Sequence, residues 1–375
     1  MTLHHALTGS TGAPGTTLAL ADAYRALGHD VVGISTFDDL PDRLPEQAKQ
    51  LAFPFVASAR AVRLAATVDV VDASTADLWP LLLLRRARRR RSRRRPVIIT
   101  RSHGLEHASD VARRALARAG ELELSQLYRL YHGGLYLREV ACTLRRADAA
   151  LFLNREDRDY AVARLAVRPD RAHIVFNGLS PAFLGLGPPC TDDDAVQIVQ
   201  VGSFSSRKGV SFSVPALERV LASRPAARVS FLGAGVAPDT VLQRFSPEVR
   251  AQVTVVERYE NERLPALLSR SAISIFPSVS EGFGKALLET MACGLAPIAT
   301  ATPGPRELVD DGVNGLLVPV ADADALAEAM LRLVDDAAVR RRLAAAAQSS
   351  AQTFSWSHTA SQRLALFERL CFTSG

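Results

Sequence analysis

The chain has 375 residues, a length that suits two domains, and its 48% hydrophobic and 22% charged content supplies an ordinary globular core. The purely apolar run at residues 81–84, like every other in the chain, is far below the roughly twenty residues that cross a bilayer, which excludes a spanning helix. The formal charge of +6 is a local matter: the run from Arg85 to Arg95 holds nine arginines and no acid, and removing those nine from +6 leaves −3.

Residues 3–7 read as a first strand, followed by the loop Thr8-Gly-Ser-Thr-Gly-Ala-Pro-Gly15 and a helix that runs to Leu27 and stops at Gly28. A glycine-rich loop between the first strand and first helix opens many nucleotide-binding α/β domains. It lacks the Gly-x-Gly-x-x-Gly spacing, so a nicotinamide cofactor is not supported. Strands are predicted at residues 31–34, 68–71 and 97–100. Arg101-Ser-His-Gly104 follows the last of these at its carboxyl end, where doubly wound sheets place ligands.

Between there and a strand at residues 149–153, Leu124, Leu127, Tyr128, Tyr131, Leu135 and Arg138 repeat at helical spacing. The favoured reading is a core-facing helix pair. The alternative is that Tyr128, Tyr131 and Tyr136 help form an acceptor or membrane face. Residues 185–194 form a linker without periodicity.

The second domain starts at Val196, with strands predicted at residues 197–201, 228–232, 253–256, 272–276, 296–300 and 315–318 and helical patterns between most of them. The four cysteines are far apart, without metal spacing, and read as reduced thiols. No basic-then-apolar leader is evident at the start, so the expected location is cytoplasmic, or peripheral at the inner face of the membrane.

The stretch from Ser278 to Glu289 carries the chemistry. An apolar strand is stopped by Pro277, bent by Gly282 and Gly284, and followed by an uninterrupted helix from Lys285. A glycine loop at a helix start aims free N–H groups at one spot, which suits a phosphate. Glu281 and Glu289 bracket it, and carboxylates are good acceptors for sugar hydroxyls. The composite reads as a site for a phosphate flanked by polyols. Two acids could also suggest a glycosidase, but these share one loop–helix unit, which favours group transfer from a nucleotide donor.

Glu281-Gly-Phe-Gly-x4-Glu289 resembles the Glu-x7-Glu signature of the retaining family-4 glycosyltransferases. So do Met291-Ala-Cys-Gly-Leu-Ala-Pro297, Pro303-Gly-Pro-Arg-Glu307 and Asp311-Gly-Val-Asn-Gly-Leu-Leu-Val318, over some forty residues in all. The resemblance implies the GT-B fold: two Rossmann-like, doubly wound parallel-sheet domains facing a cleft. The expected domains are residues 1–185, completed by a C-terminal helix at 355–375, and residues 190–354. Ile174-Val-Phe-Asn-Gly178 resembles the family's stretch near the end of the first domain.

The resemblance further implies that Glu281 accepts hydrogen bonds from the donor sugar, that Glu289 holds the ribose, and that Gly282, Phe283 and Gly284 present N–H groups to phosphate and sugar. In Val201-Gly-Ser-Phe-Ser-Ser-Arg-Lys-Gly209, Lys208 matches the family's diphosphate-gripping lysine, whereas Ser203 stands where the family carries arginine; either Arg207 supplies that charge or Ser203 bonds the phosphate itself. Cations fixed there stabilise a departing diphosphate. The nucleobase is expected near Arg258 and Tyr259. In the first domain, Thr11-Gly12 stands where the family has a Gly-Gly pair, letting the backbone approach donor phosphates or acceptor. His103 takes the place of the family's histidine near the donor sugar.

The implied activity is retaining transfer from a nucleoside-diphosphate sugar to a hydroxyl of a glycan, lipid-linked or small-molecule acceptor. Two alternatives stay open: a GT-B phosphorylase or synthase acting on a free sugar phosphate, and a non-catalytic scaffold binding membrane or nucleic acid through its arginines. No metal or other cofactor is expected; Asp192-Asp-Asp194 lies in the linker, and Asp322-Ala-Asp324 opens a helix, where Asp is a natural cap. For Arg85 to Arg95 the favoured partner is an anionic membrane surface or acceptor, because Leu78-Trp79 and Leu81–Leu84 adjoin the charges. Nucleic acid is disfavoured, since no stacking aromatics interleave the arginines.

Overall fold

A computed structural model describes residues 2–3, 12–32, 34–35, 40–41, 43–85, 95–120, 123–189 and 195–373. They form two compact units, one of Met1–Arg114, Glu123–Gly178 and Trp356–Gly375, the other of Ala115–Leu122 and Leu179–Ser355.

The first unit is built on a six-stranded parallel sheet of β1 (Thr2–Leu3), β2 (Ile34–Ser35), β3 (Val70–Ser74), β4 (Val97–Arg101), β5 (Ala149–Phe152) and β6 (Ala172–Ile174), in the order β2-β1-β3-β4-β5-β6. Its helices are α1 (Gly12–Ala26), α2 (Glu46–Leu64), α3 (Trp79–Leu84), α4 (Glu106–Arg118), α5 (Tyr136–Arg146) and α6 (Arg155–Leu165), with a π-helical turn at Tyr128–Leu135. α6 is capped by Asn154, whose side chain accepts from the Asp157 N–H.

β2 and β3 lie later than the sequence pattern predicts. Pairing with β1 begins at Ile34, leaving Val31 and Val32 outside the strand, and β3 continues through Asp72 and Ser74. Polar residues there look like a strand end. They are buried in the sheet because Asp72 Oδ1 pairs with Arg101 Nε at 2.7 Å and Asp72 Oδ2 with Arg363 Nη2 at 2.6 Å. β6 is a strand that the pattern did not announce.

The core-facing reading of the helical stretch also needs correction. No residue of the π turn is buried, and Leu130 is 76% exposed. A π turn is wider than an α turn, so residues at α spacing drift off one face. Its rings cluster with one another instead, Tyr131 with His132 at 5.1 Å and Tyr131 with Tyr136 at 6.0 Å. α5 does face the core, through Val140, Ala141 and Leu144.

The second unit carries β7 (Gln197–Val201), β8 (Arg228–Leu232), β9 (Val253–Val256), β10 (Ile273–Phe276), β11 (Ala296–Thr300) and β12 (Leu316–Val318), ordered β12-β11-β10-β7-β8-β9 and parallel throughout. Its helices are α7 (Val210–Ser223), α8 (Pro238–Leu242), α9 (Leu264–Leu268), α10 (Lys285–Ala292), α11 (Pro305–Leu308), α12 (Ala323–Asp335) and α13 (Ala337–Ala351). Ile198, Val229, Ile273, Ile275 and Ile298 point into a core closed by Leu217, Met330 and Leu343. Arg340, buried on α13, donates to the Leu333 and Val334 carbonyls and so satisfies the open end of α12.

The second unit begins at Leu179, earlier than the expected boundary near residue 190. Leu179 N–H donates to the Phe354 carbonyl at 2.9 Å, and Gln348 and Gln352 hold the backbone of residues 183–187, which fastens this segment to the end of α13. The last helix, α14 (Trp356–Thr373), belongs to the first unit: Trp356, Ala360, Leu366 and Phe367 pack with Leu20, Tyr24, Ile99 and Leu151.

Candidate functional site

Renumbered from its own first strand, the second sheet runs 3-2-1-4-5-6, the doubly wound order whose chain direction reverses between β7 and β10. Ligands of such sheets bind beyond the strand ends at that reversal. The loops that leave β7 and β10 carry the predicted residues. Lys208 follows β7, Glu281 follows β10, and Lys208 Nζ lies 2.7 Å from Glu281 Oε2. Both side chains are largely shielded from solvent.

Several contacts fix this pair. The Lys208 ammonium sits 4.8 Å from the centre of the Phe276 ring, a cation–π position. The Lys208 carbonyl accepts from Gln200 Nε2, and the Val279 N–H donates to the Arg207 carbonyl, tying the two loops together. Gly209 has φ +74°, and a Cβ there would overlap the Pro277 carbonyl, so only glycine lets the loops approach so closely. Glu281 is held through its carbonyl by the Gly304 N–H at 3.0 Å, and a side chain on Gly304 would collide with the Phe283 backbone.

Arg207 is half exposed, with Nη1 3.9 Å from Glu281 Oε2, so it adds charge at the same spot without a close pair. Ser203 is exposed beside Ser205, their hydroxyls 3.2 Å apart. Gly282 and Gly284 flank Phe283, which is buried against Phe354, so the ring anchors the loop while the backbone runs into α10.

Glu289 lies inside α10 and is 3% exposed. Its Oε1 takes a hydrogen bond from Asn261 Nδ2 at 3.3 Å and faces Lys285 Nζ at 3.4 Å. Burial raises its pKa above the usual carboxylate range, opposed by Lys285 and Asn261. Tyr259 packs its ring against Gly233, and burial, with the Glu289 charge, raises its hydroxyl pKa. Arg258 points to solvent and pairs loosely with Glu257, and among the described residues no other ion pair holds it toward a base-binding position.

His103 and Gly12 belong to the first unit. In that sheet the reversal falls between β1 and β3. Gly12 opens α1 after β1, and Thr8 to Thr11 lie outside the described residues. His103 follows β4, half buried, with Nε2 3.2 Å from the Ser74 hydroxyl at the end of β3. Thr75 donates to Glu106 at the start of α4, which anchors the loop that carries His103.

Sequence reasoning missed Asn261, Ser74 and Phe276, which lie far along the chain from the residues they touch. Lys285 was legible, since it stands four residues before Glu289 on one helix. The alternative metal motifs have other partners: Asp322 caps α12 by accepting from the Ala325 N–H, Asp324 pairs with Arg219, and Asp192 to Asp194 lie outside the described residues. Cys142, Cys293 and Cys371 are free thiols, and Cys190 lies outside the described residues.

Two family models match this chain. One, described as Glycosyltransferase Family 4, covers residues 11–183; the other, Glycosyl transferases group 1, covers residues 195–336. The chain belongs to glycosyltransferase family 4. The alpha-maltose-1-phosphate synthase of Mycolicibacterium smegmatis is similar at 31% identity over 251 residues, 60% of this chain and 64% of that protein. Across the first curated relatives this family member spans 49–64% of their own length.

Among solved structures, sucrose-phosphate synthase from Thermosynechococcus elongatus matches with a TM-score of 0.77 at 20% identity, over 100% of this chain and 99% of that one. Anabaena HepE in complex with UDP matches with a TM-score of 0.69 at 18% identity, over 98% and 99%. At such identities the likeness concerns the fold, which is GT-B in this family member as in those proteins.

Proposed function

We propose that this chain is a retaining glycosyltransferase that moves a sugar from a nucleoside-diphosphate donor to an acceptor hydroxyl, in glycan or glycolipid assembly. The observation that carries the reading is the Lys208–Glu281 contact of 2.7 Å at the reversal point of the second sheet. It sets a cation for phosphate and an acceptor for sugar hydroxyls side by side, as a nucleotide sugar requires. The solved HepE complex with UDP supports a uridine nucleotide as the first donor to test.

In this reading Glu281 accepts from donor-sugar hydroxyls, Glu289 holds the ribose, and the backbone of Gly282, Phe283 and Gly284 meets phosphate and sugar. His103 contacts the donor sugar and Gly12 admits the phosphates or the acceptor. The acceptor oxygen bonds to the anomeric carbon on the face from which the diphosphate departs. The old carbon–oxygen bond breaks with its electron pair going to the diphosphate, and the acceptor proton passes to a β-phosphate oxygen. Lys208, with Arg207 beside it, stabilises the growing negative charge. No protein base and no metal is invoked.

The test is a donor screen with UDP-, GDP- and ADP-sugars in EDTA, with NMR assignment of the product anomer. Inversion, or a strict need for a divalent ion, contradicts the mechanism. Two similar proteins are named as phosphate synthases, so sugar phosphates belong in the acceptor panel. Product formation from a free sugar phosphate as donor would favour the phosphorylase reading, and no turnover with any donor would favour the scaffold.

We also propose a peripheral contact with anionic lipid. Leu51 and Phe55 on α2 and Leu83 and Leu84 on α3 are exposed, and the two helices meet through Phe55 and Trp79, 5.4 Å apart. This apolar face ends where the arginine run begins. Arg85 is not part of the basic surface as expected, because it pairs with Asp148 at 2.7 Å, and Arg86 to Arg94 lie outside the described residues.

A further inference from the structure

Lys285 and Glu289 stand in the unfavourable order on α10. A lysine in the first turn faces the positive end of the helix dipole, and a Lys-then-Glu pair four residues apart is the weaker orientation. Helix stability therefore does not explain the pair. Glu289 is also buried, which makes its charge costly.

Both partners of Glu289 approach the same oxygen. Asn261 Nδ2, from the turn after β9, is 3.3 Å from Oε1, and Lys285 Nζ is 3.4 Å from Oε1. Among the described residues no partner falls on Oε2. We infer that Asn261 and Lys285 are positioning residues that clamp Oε1 and keep Glu289 ionised, so that Oε2 is presented as a charged acceptor to the ribose of the donor nucleotide. This rests on the reading of Glu289 as the ribose ligand.

The surroundings leave this task to Lys285. Among the described residues, the other titratable groups that the Glu289 charge shifts are Cys293, which caps the end of α10, and Tyr259 after β9. A thiol and a phenol carry no positive charge in either state, and burial first, with the Glu289 charge second, raises both and keeps them neutral. The strands β10 and β11 and helix α13 also pack on α10, and among the described residues none of them pairs a charge with Glu289. Burial raises the Glu289 carboxyl, and Lys285 and Asn261 lower it. Without Lys285 it would take up its proton at a higher pH, and the ribose would lose its charged acceptor there.

The experiment is calorimetric titration of the full chain with UDP, GDP and ADP from pH 5 to pH 8. Wild type, Lys285→Met, Lys285→Arg, Asn261→Ala and Glu289→Gln are compared. The phosphates of the ligand titrate alike for all variants, so only differences between profiles are read. We expect Lys285→Met to weaken binding about tenfold or more, the scale of losing a charge-assisted hydrogen bond, and to lose affinity at a higher pH than wild type. Lys285→Arg restores the wild-type profile, and Asn261→Ala shows a smaller change of the same kind. Glu289→Gln is weak and lacks this pH component.

A Lys285→Met profile that superimposes on wild type overturns the inference. So does a loss that is equal at every pH, because that would place Lys285 on the phosphate itself. If Glu289→Gln binds as wild type does, or no nucleotide binds wild type, the ribose reading falls and this one with it. Asn261→Ala, which leaves α10 unchanged, keeps the inference testable should Lys285→Met fail to fold.

Discussion

Arg363, on the last helix of the chain, donates to Asp72 in the middle of β3 at 2.6 Å, with both side chains almost completely buried. Arg101 holds the other oxygen of the same carboxylate, so one anion serves two buried cations. Burial and the neighbouring charge of Asp72 act in this cluster on Tyr24 too, whose hydroxyl is pushed up to about 12. Asp72→Asn strands both guanidinium groups. We expect it to cost about 3–5 kcal/mol in urea unfolding, the scale for breaking a buried pair. Replacing Arg363 with Met should cost less, because Arg101 and Asp72 remain paired. An Asp72→Asn protein as stable as wild type would contradict this.

Lys208→Ala should lower turnover by about two to three orders of magnitude, the effect of removing one preorganised charge stabiliser. Arg207→Ala tests whether this half-exposed side chain replaces the arginine absent at Ser203. Steady-state rates decide between them: a silent Arg207→Ala beside an impaired Ser203→Ala shows that the hydroxyl, not the guanidinium, holds the phosphate.

Glu281 and Glu289 should separate chemistry from binding. Glu281→Ala is expected to abolish transfer while nucleoside diphosphate binding survives, because its proposed contact is the sugar. Glu289→Ala should weaken nucleotide binding by about 1.5–3 kcal/mol, the worth of hydrogen bonds to a charged group. Equal nucleotide affinities of wild type and Glu289→Ala would remove Glu289 from the ribose site.

Stability should fall on mild acidification. Burial holds His107, His132 and His173 below the ordinary imidazole value, with Arg113 adding to the effect on His132 and Arg369 on His173. The unfolded chain therefore binds more protons once the pH drops through about 6.5. Their contribution is complete above that pH and is lost as the pH falls through the depressed folded values. The urea midpoint of wild type should drop faster between pH 7 and pH 5 than that of a His107→Gln/His173→Gln protein. The difference between the two isolates the imidazoles from Asp157 and Glu289, whose raised pKa values act in the opposite sense. Parallel curves would refute it.

The lipid contact predicts sedimentation with anionic vesicles at low salt and little with neutral ones. Changing the arginines from Arg86 to Arg94 to Ser should abolish it without altering donor hydrolysis, since each basic residue near such a surface contributes about 1 kcal/mol. Absence of binding to anionic vesicles at low salt rules it out.

The strand–loop–helix from β10 to α10 could be read from the chain because its signals are local: apolar alternation, a proline stop, two glycines and an unbroken helix. What could not be read is partnership across distance. Asp72 and Ser74 look like exposed polar residues at the end of a short apolar run, and nothing near them in sequence announces Arg101 or Arg363. Asn261 sits in a short turn whose only cue is three-dimensional, its approach to Glu289. The π turn misled for a related reason: Leu127, Tyr131 and Leu135 obey helical spacing, but the widened winding leaves them outside the core. Arg85, at the head of a basic run, looked like one charge among nine, yet Asp148 claims it.

The return of α14 to the first unit also bears on how the protein is made. Synthesis proceeds from the N-terminus, and domains generally fold in that order. Here Arg363, the second cation on Asp72, and the packing surface of Trp356 and Phe367 are made only after the second unit. The nascent first unit must wait, with one oxygen of the Asp72 carboxylate lacking its partner and one flank of its sheet uncovered, while the second unit emerges. The unit begun first is thus completed only after the other has been made, and a stop codon before Trp356 would be felt in the first sheet.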